Sequence, residues 1–147
     1  MGEATLLETG LYIMALFIVI TIHECSHALT AYYFGDPTAK LAGRITLNPL
    51  AHIDLVGLIM MFLIHIGWGK PVPVNSHYFK NPKRDEALTA FAGPLSNLLL
   101  AFALAIPLKY IPGFADIALG KFLVMVFDVS IYLFVFKKVI SFKISKL

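Results

Sequence analysis

The sequence predicts an all-α integral membrane bundle of about three transmembrane helices, with a short β edge or re-entrant segment between the first and second spans. Three observations carry this reading. The 147 residues are 59% hydrophobic and 14% charged, with a mean hydropathy of +0.79, whereas soluble domains average about 25% charged. Three segments are long and apolar enough to cross a bilayer, which takes about 20 residues. Ten of the twelve basic residues also fall on one side if those three segments cross.

The first span covers residues 10–34, interrupted only by His23-Glu24-Cys25-Ser26-His27. The first ten residues hold Glu3 and Glu8 but no Lys or Arg, and no small-x-small cleavage site follows the apolar run. That is the wrong flank for a secretory signal peptide, so the segment reads as a retained span. Gly35-Asp36-Pro37 stops it, because glycine and proline together end helices sharply. Residues 44–47 alternate polar and apolar before Asn48-Pro49, which predicts a short strand. The apolar run at 55–66 has 12 residues, too few to cross, and suits an interfacial or re-entrant placement.

Residues 70–75, with Pro71 and Pro73, are expected to be extended, since each proline pushes its predecessor toward β or polyproline geometry. Proline confines such a segment to a sheet edge. The second span, 87–108, is 22 residues long and free of charge. The third, 114–136, is 23 residues long and includes Asp116, Lys121 and Asp128. Residues 1–136 thus form one membrane domain, and 137–147 a basic tail.

With 55–66 not crossing, residues 35–86 become one connecting region that carries Lys40, Arg44, Lys70, Lys80, Lys83 and Arg84. The tail, with Lys137, Lys138, Lys143 and Lys146, then falls on the same side. The positive-inside rule makes that side cytoplasmic and puts the N-terminus outside, in a multi-pass protein of the cell membrane. The net charge of +3 is modest and gives no ground for a nucleic-acid partner. Cys25, the single cysteine, excludes an internal disulfide and a cysteine-based zinc knuckle.

The chemistry concentrates in the first span. His23 and His27 are four residues apart, so on a helix they project from one face. Two neutral imidazoles at that spacing can hold Zn²⁺ and leave positions open for water and substrate. Glu24 follows the first histidine directly, which lets its carboxylate act as general base and acid for hydrolysis. Ionisable residues within a membrane helix are costly and point to function. Cys25 and Ser26 lack a base of their own and read as small packing residues.

Outside this turn the readings are plainer. His52 and Asp54 suit a turn or interfacial role, with support of the metal site as the alternative. His65 and His77 have no ligand-like spacing. Gly67 and Gly69 do not begin a phosphate loop, and Trp68 suits an interfacial anchor. In the second span Gly93, Pro94 and Ser96 permit close helix contact, and Asn97 needs a polar partner.

Taken together, HECSHALTAYYFGDPTAK, GRITLNPLAHIDLVG, GWGKPVPVN and AGPLSNLLLA, in that order, resemble the site-2 protease family of intramembrane zinc metalloproteases. The resemblance is to its compact type without a PDZ domain. It implies a zinc endopeptidase that cleaves transmembrane segments of membrane-embedded substrate proteins, with His23 and His27 as ligands and Glu24 as the catalytic acid/base. The substrate is expected as an unwound strand, laid against the edge segments. The family's third ligand is an aspartate in an LDG motif preceded by Asn-x-x-Pro, and neither occurs here. Asp128 is the acidic residue deep in the third span; it could substitute for that ligand, although it lies about a helix-length too early. The tail is therefore read as foreign to the family, the product of a truncation or frameshift, and the missing aspartate argues against activity in this copy. Two alternatives follow, a non-catalytic remnant that binds membrane segments and a small transporter or channel component. A transporter should show repeated halves or paired interrupted helices, and the sequence has neither.

Overall fold

The computed structural model describes residues 6–64, 68–113, 122–124 and 126–127. Helix α1 spans Leu6–Tyr33, α2 Thr38–Leu41, α3 Leu55–Ile64 and α4 Pro82–Tyr110, with 3-10 turns at Pro49–Ala51 and Ser76–Tyr78. Two stretches, Thr9–Tyr33 in α1 and Pro82–Ile106 in α4, are long and apolar enough to cross a membrane. They match the first and second expected spans. Both helices begin earlier than the apolar count suggests, because charged first turns are still helical when capped. The Asp85 carboxylate accepts the Asn81 N–H at 3.0 Å and so caps the start of α4. The third expected span, 114–136, and the basic tail lie almost wholly outside the described residues.

The chain divides into two compact units, one of Ile20–Gly93 and one of Met1–Val19 with Pro94–Leu147. In the second of these, Ala15, Val19 and Val126 form a buried apolar cluster with Leu16, Leu100, Leu104 and Phe122 packed around it. The Ile20–Gly93 unit has a different interior, in which His23, Glu24, Asp36, Arg44, His52, Asp85 and Thr89 are all buried. Polar groups cost free energy to bury unless they are partnered, so this unit is organised by hydrogen bonds.

Helix α1 ends in a Schellman cap. The Gly35 N–H donates to the Tyr32 carbonyl at 3.0 Å and the Asp36 N–H to the Ala31 carbonyl at 3.0 Å. Gly35 has φ +105°, a conformation that glycine adopts without a Cβ penalty. The cap turns Asp36 inward, fully buried, where its carboxylate accepts from the Thr38 N–H, the Thr38 hydroxyl and the Asn75 N–H. The same device recurs after α2. There Gly43, at φ +67°, donates to the Lys40 carbonyl and Arg44 to the Ala39 carbonyl, which turns the Arg44 side chain into the interior.

The short β edge expected between the spans is not formed as strands. Residues 45–47 are a run of bends, and 70–75 belong to no strand. Among the described residues the one bridge is an isolated antiparallel pair, Ile53 with Gly69. Turn chemistry prevails over pairing. The Thr46 carbonyl is taken by His52 and the Thr46 hydroxyl by the Asn48 N–H. Pro71 and Pro73 have no N–H to give a ladder.

Within the apolar run 55–66 the described residues form one short helix. This helix, α3, has 10 residues, about 15 Å at the α-helical rise, against a hydrocarbon core of about 30 Å. Asp54 caps it by accepting the Gly57 N–H at 2.8 Å. The chain then returns beside its point of departure, with Gly69 bridging Ile53 and the Lys70 N–H donating to the His52 carbonyl at 2.8 Å.

Candidate metal centre

His23 and His27 lie one turn apart on α1, as their spacing requires. Their ring centroids are 4.8 Å apart and nearly perpendicular. His23 and Glu24 are 2% and 8% exposed, and His27 is half-buried. One ligand atom from each of the three residues lies within 4.8 Å of the others, so the sequence triad forms a spatial cluster.

Helix α4 orients this cluster. His27 Nδ1 lies 2.7 Å from the Thr89 carbonyl oxygen, which can only accept, so Nδ1 carries the proton. That fixes the tautomer and makes Nε2 the lone-pair nitrogen, as a metal-ligating histidine requires. One turn beyond Thr89 stands Gly93. A Cβ there would sit 2.6 Å from His23 Nε2 and closer still to His27 Nε2. Both Nε2 atoms therefore converge on a spot left open by the absence of a side chain. Two imidazoles and a carboxylate are a donor set that suits zinc, so the residues present fit the ion.

The other wall of the Glu24 environment is the segment that returns after α3. A Cβ on Gly69 would stand 3.9 Å from Glu24 Cγ, and 3.1 Å from both the His52 carbonyl oxygen and Ile20 Cγ2. Arg44 donates from Nη2 to the Lys70 carbonyl of the same segment and is 4% exposed. Burial pulls its pKa below the ordinary arginine value, while the charge of Glu24 acts to raise it. The two groups thus share one electrostatic environment.

The remaining candidates take structural roles. Ser26 donates to the Ile22 carbonyl one turn back at 2.7 Å, and Cys25 is buried. His52 is fully buried and donates from Nε2 to the Thr46 carbonyl at 2.9 Å, holding the turn before α3. Asp54 is a helix cap. Trp68 is 48% exposed and packs its indole over Gly57. His77 is exposed in the second 3-10 turn. Asp128 and His65 lie outside the described residues. Sequence reasoning missed Thr89, Gly93, Gly69 and Arg44 as parts of this centre. Only Gly93, a glycine at mid-helix where it weakens the helix, left a signal that could have found it.

The profile of peptidase family M50 matches residues 11–146. YwhC of Bacillus subtilis (strain 168), provisionally named a zinc metalloprotease, is 48% identical over 90 residues, 61% of this chain and 41% of its own length. Rip2 of Mycolicibacterium smegmatis, with the same provisional name, is 32% identical over 104 residues, 65% of this chain and 39% of its own. Rip2 of Mycobacterium tuberculosis (strain H37Rv) is 35% identical over 104 residues, with the same coverage of 65% and 39%. The chain thus spans about two fifths of the length of these relatives, 41% and 39%. No solved structure matches it.

Proposed function

The chain belongs to peptidase family M50, and from that premise we propose that it is a zinc endopeptidase that hydrolyses peptide bonds within membrane-embedded protein substrates. The observation that carries this is the convergence of the two Nε2 atoms of His23 and His27 beside Gly93, with Glu24 buried next to them. His23 and His27 hold the metal through Nε2. Zinc, when bound, supplies Lewis-acid activation for hydrolysis of an amide. Glu24 takes a proton from the attacking water on its carboxylate oxygen and returns it to the leaving amine. The His27–Thr89 bond keeps the imidazole in the ligating tautomer. The protein lies in the bilayer through α1 and α4, and the gathering of basic residues in 35–86 supports an N-terminus outside.

A second reading, a remnant that binds membrane segments without cleaving them, rests on ligand count. Catalytic zinc sites usually take three protein ligands, and among the described residues the cluster offers two histidines beside the base Glu24. Asp128 is proposed as the residue to test for a third. Metal analysis of His23→Ala and His27→Ala should show a clear loss of zinc, and unchanged content overturns the ligand assignment. Glu24→Gln should keep zinc and abolish cleavage of a reporter transmembrane substrate. If the parent chain holds zinc but does not cleave, the remnant reading stands. If it cleaves and Asp128→Asn abolishes both cleavage and zinc, Asp128 completes the site.

A further inference from the structure

Arg44 is a costly residue to keep where it is. A guanidinium loses hydration on burial, and a buried charge is tolerated when an opposite charge and hydrogen bonds compensate it. Arg44 donates from Nη2 to the Lys70 carbonyl, and its Nε–H has no acceptor among the described residues. A residue that served packing alone would be better apolar, since an unmatched buried donor is destabilising. The compensating charge is Glu24, whose field acts on Arg44 across the interior of the Ile20–Gly93 unit.

The backbone that Arg44 holds is the one that lies on Glu24. Lys70 is fixed from two sides, its carbonyl by Arg44 and its N–H by the His52 carbonyl. The adjacent Gly69 then sits against Glu24 Cγ, with space for no side chain between Ile20 and His52. The Schellman cap at Gly43 aims Arg44 inward in the first place.

We propose that Arg44 is a positioning residue for Glu24: it clamps the Lys70 carbonyl, one residue beyond the Gly69 that faces the Glu24 side chain, and keeps a buried positive charge whose field reaches the carboxylate. Arg44 touches no reacting atom and acts through Glu24 and the returning segment. The proposal rests on the reading of Glu24 as the general base, and it goes beyond that reading by naming what holds the base in place. An apolar replacement removes both clamp and charge, Gln keeps a donor without the charge, and Lys keeps the charge with a single donor point.

The test uses the full chain in detergent or liposomes, with Arg44→Gln, Arg44→Lys and Glu24→Gln. Arg44→Gln should retain zinc and KM while kcat on a reporter transmembrane substrate falls about ten- to a hundredfold, the scale of a misplaced catalytic group. Arg44→Lys should recover most of the loss, a rescue that a packing role does not produce. Independently of activity, the melting-temperature losses of Arg44→Gln and Glu24→Gln should not add in the double variant, because each removes half of one interaction. Deuterium uptake across residues 68–75 should also rise in Arg44→Gln.

Additive melting losses overturn the pairing, and unchanged uptake overturns the clamp, whether or not the chain cleaves substrate. Cleavage that survives Glu24→Gln overturns the general-base reading instead, and the melting cycle still decides the pairing. If Arg44→Gln does not fold, Arg44→Met, which keeps the bulk without donor or charge, takes its place in the same melting and exchange measurements, and wild-type values in both overturn the proposal.

Discussion

Gly93 has no functional group, yet a Cβ placed there would collide with both candidate ligand nitrogens. Its replacement is a sharp probe of the centre. Alanine is the better helix former by about 1 kcal/mol, so Gly93→Ala should leave the helix content of α4 intact by circular dichroism. The added methyl nevertheless enters the space beside His23 Nε2 and His27 Nε2. Zinc affinity should fall by at least about tenfold, the scale of losses when the surroundings of metal ligands are changed. Titration with zinc against a chelator measures this, and wild-type affinity in Gly93→Ala contradicts the convergence of the two nitrogens. The contrast with His23, Glu24 and His27 shows what a sequence reveals at this scale. Those three are legible because their relation is local, one turn of one helix. Thr89, Gly93, Gly69 and Arg44 reach the same centre across intervals of about 20 to 70 residues, and no periodicity encodes that meeting.

At the scale of elements, the region between α1 and α4 is held by a few buried polar groups. Asp36 is the clearest, since it ties the end of α1 to Asn75 near the start of the second 3-10 turn. Burial acts to raise the Asp36 pKa, but the hydrogen bonds from the Thr38 hydroxyl, the Asn75 N–H and the Thr38 N–H outweigh it and hold the pKa below its ordinary value. A carboxyl with a depressed native pKa contributes stability that is fully present above its unfolded value, about 3.9. That stability is lost as pH falls through the lower native value. Asp36→Asn should therefore lower stability at neutral pH, on the order of 1 kcal/mol for a charge-assisted bond made neutral. The gap from wild type should close as the pH drops below about 4. Melting curves at several pH values measure it, and a pH-independent gap contradicts the ionised clamp. Much of this region was legible: the Gly35 stop, the short apolar helix and the extended proline segment all stand where residue chemistry puts them. The strands were not, because a polar-apolar alternation at 44–47 says nothing about whether Thr46 and Arg44 already have partners in their own turns.

For the whole molecule the question is which side of the membrane each stretch of charge occupies. Two helices are long enough to cross, and the segment between them leaves at Ile53 and returns beside it at Gly69. A segment whose ends are bridged has both ends at one depth, so α3 does not by itself carry the chain across. Residues 35–86 then stay on one side, with six basic residues that favour the cytoplasm. If 114–136 crosses, the tail with its four lysines joins them. The protein has one native cysteine, Cys25, and it is buried, so cysteines introduced at Lys80 and Lys143 are the reactive ones. In sealed vesicles both should react with a membrane-impermeant maleimide from the cytoplasmic side alone. Labelling of position 80 from outside contradicts the positive-inside orientation. Labelling of 80 and 143 from opposite sides leaves the bridged return of α3 in place and shows instead that 114–136 does not span. The second outcome also removes Asp128 from the depth of His23 and His27, and with it the proposed third ligand.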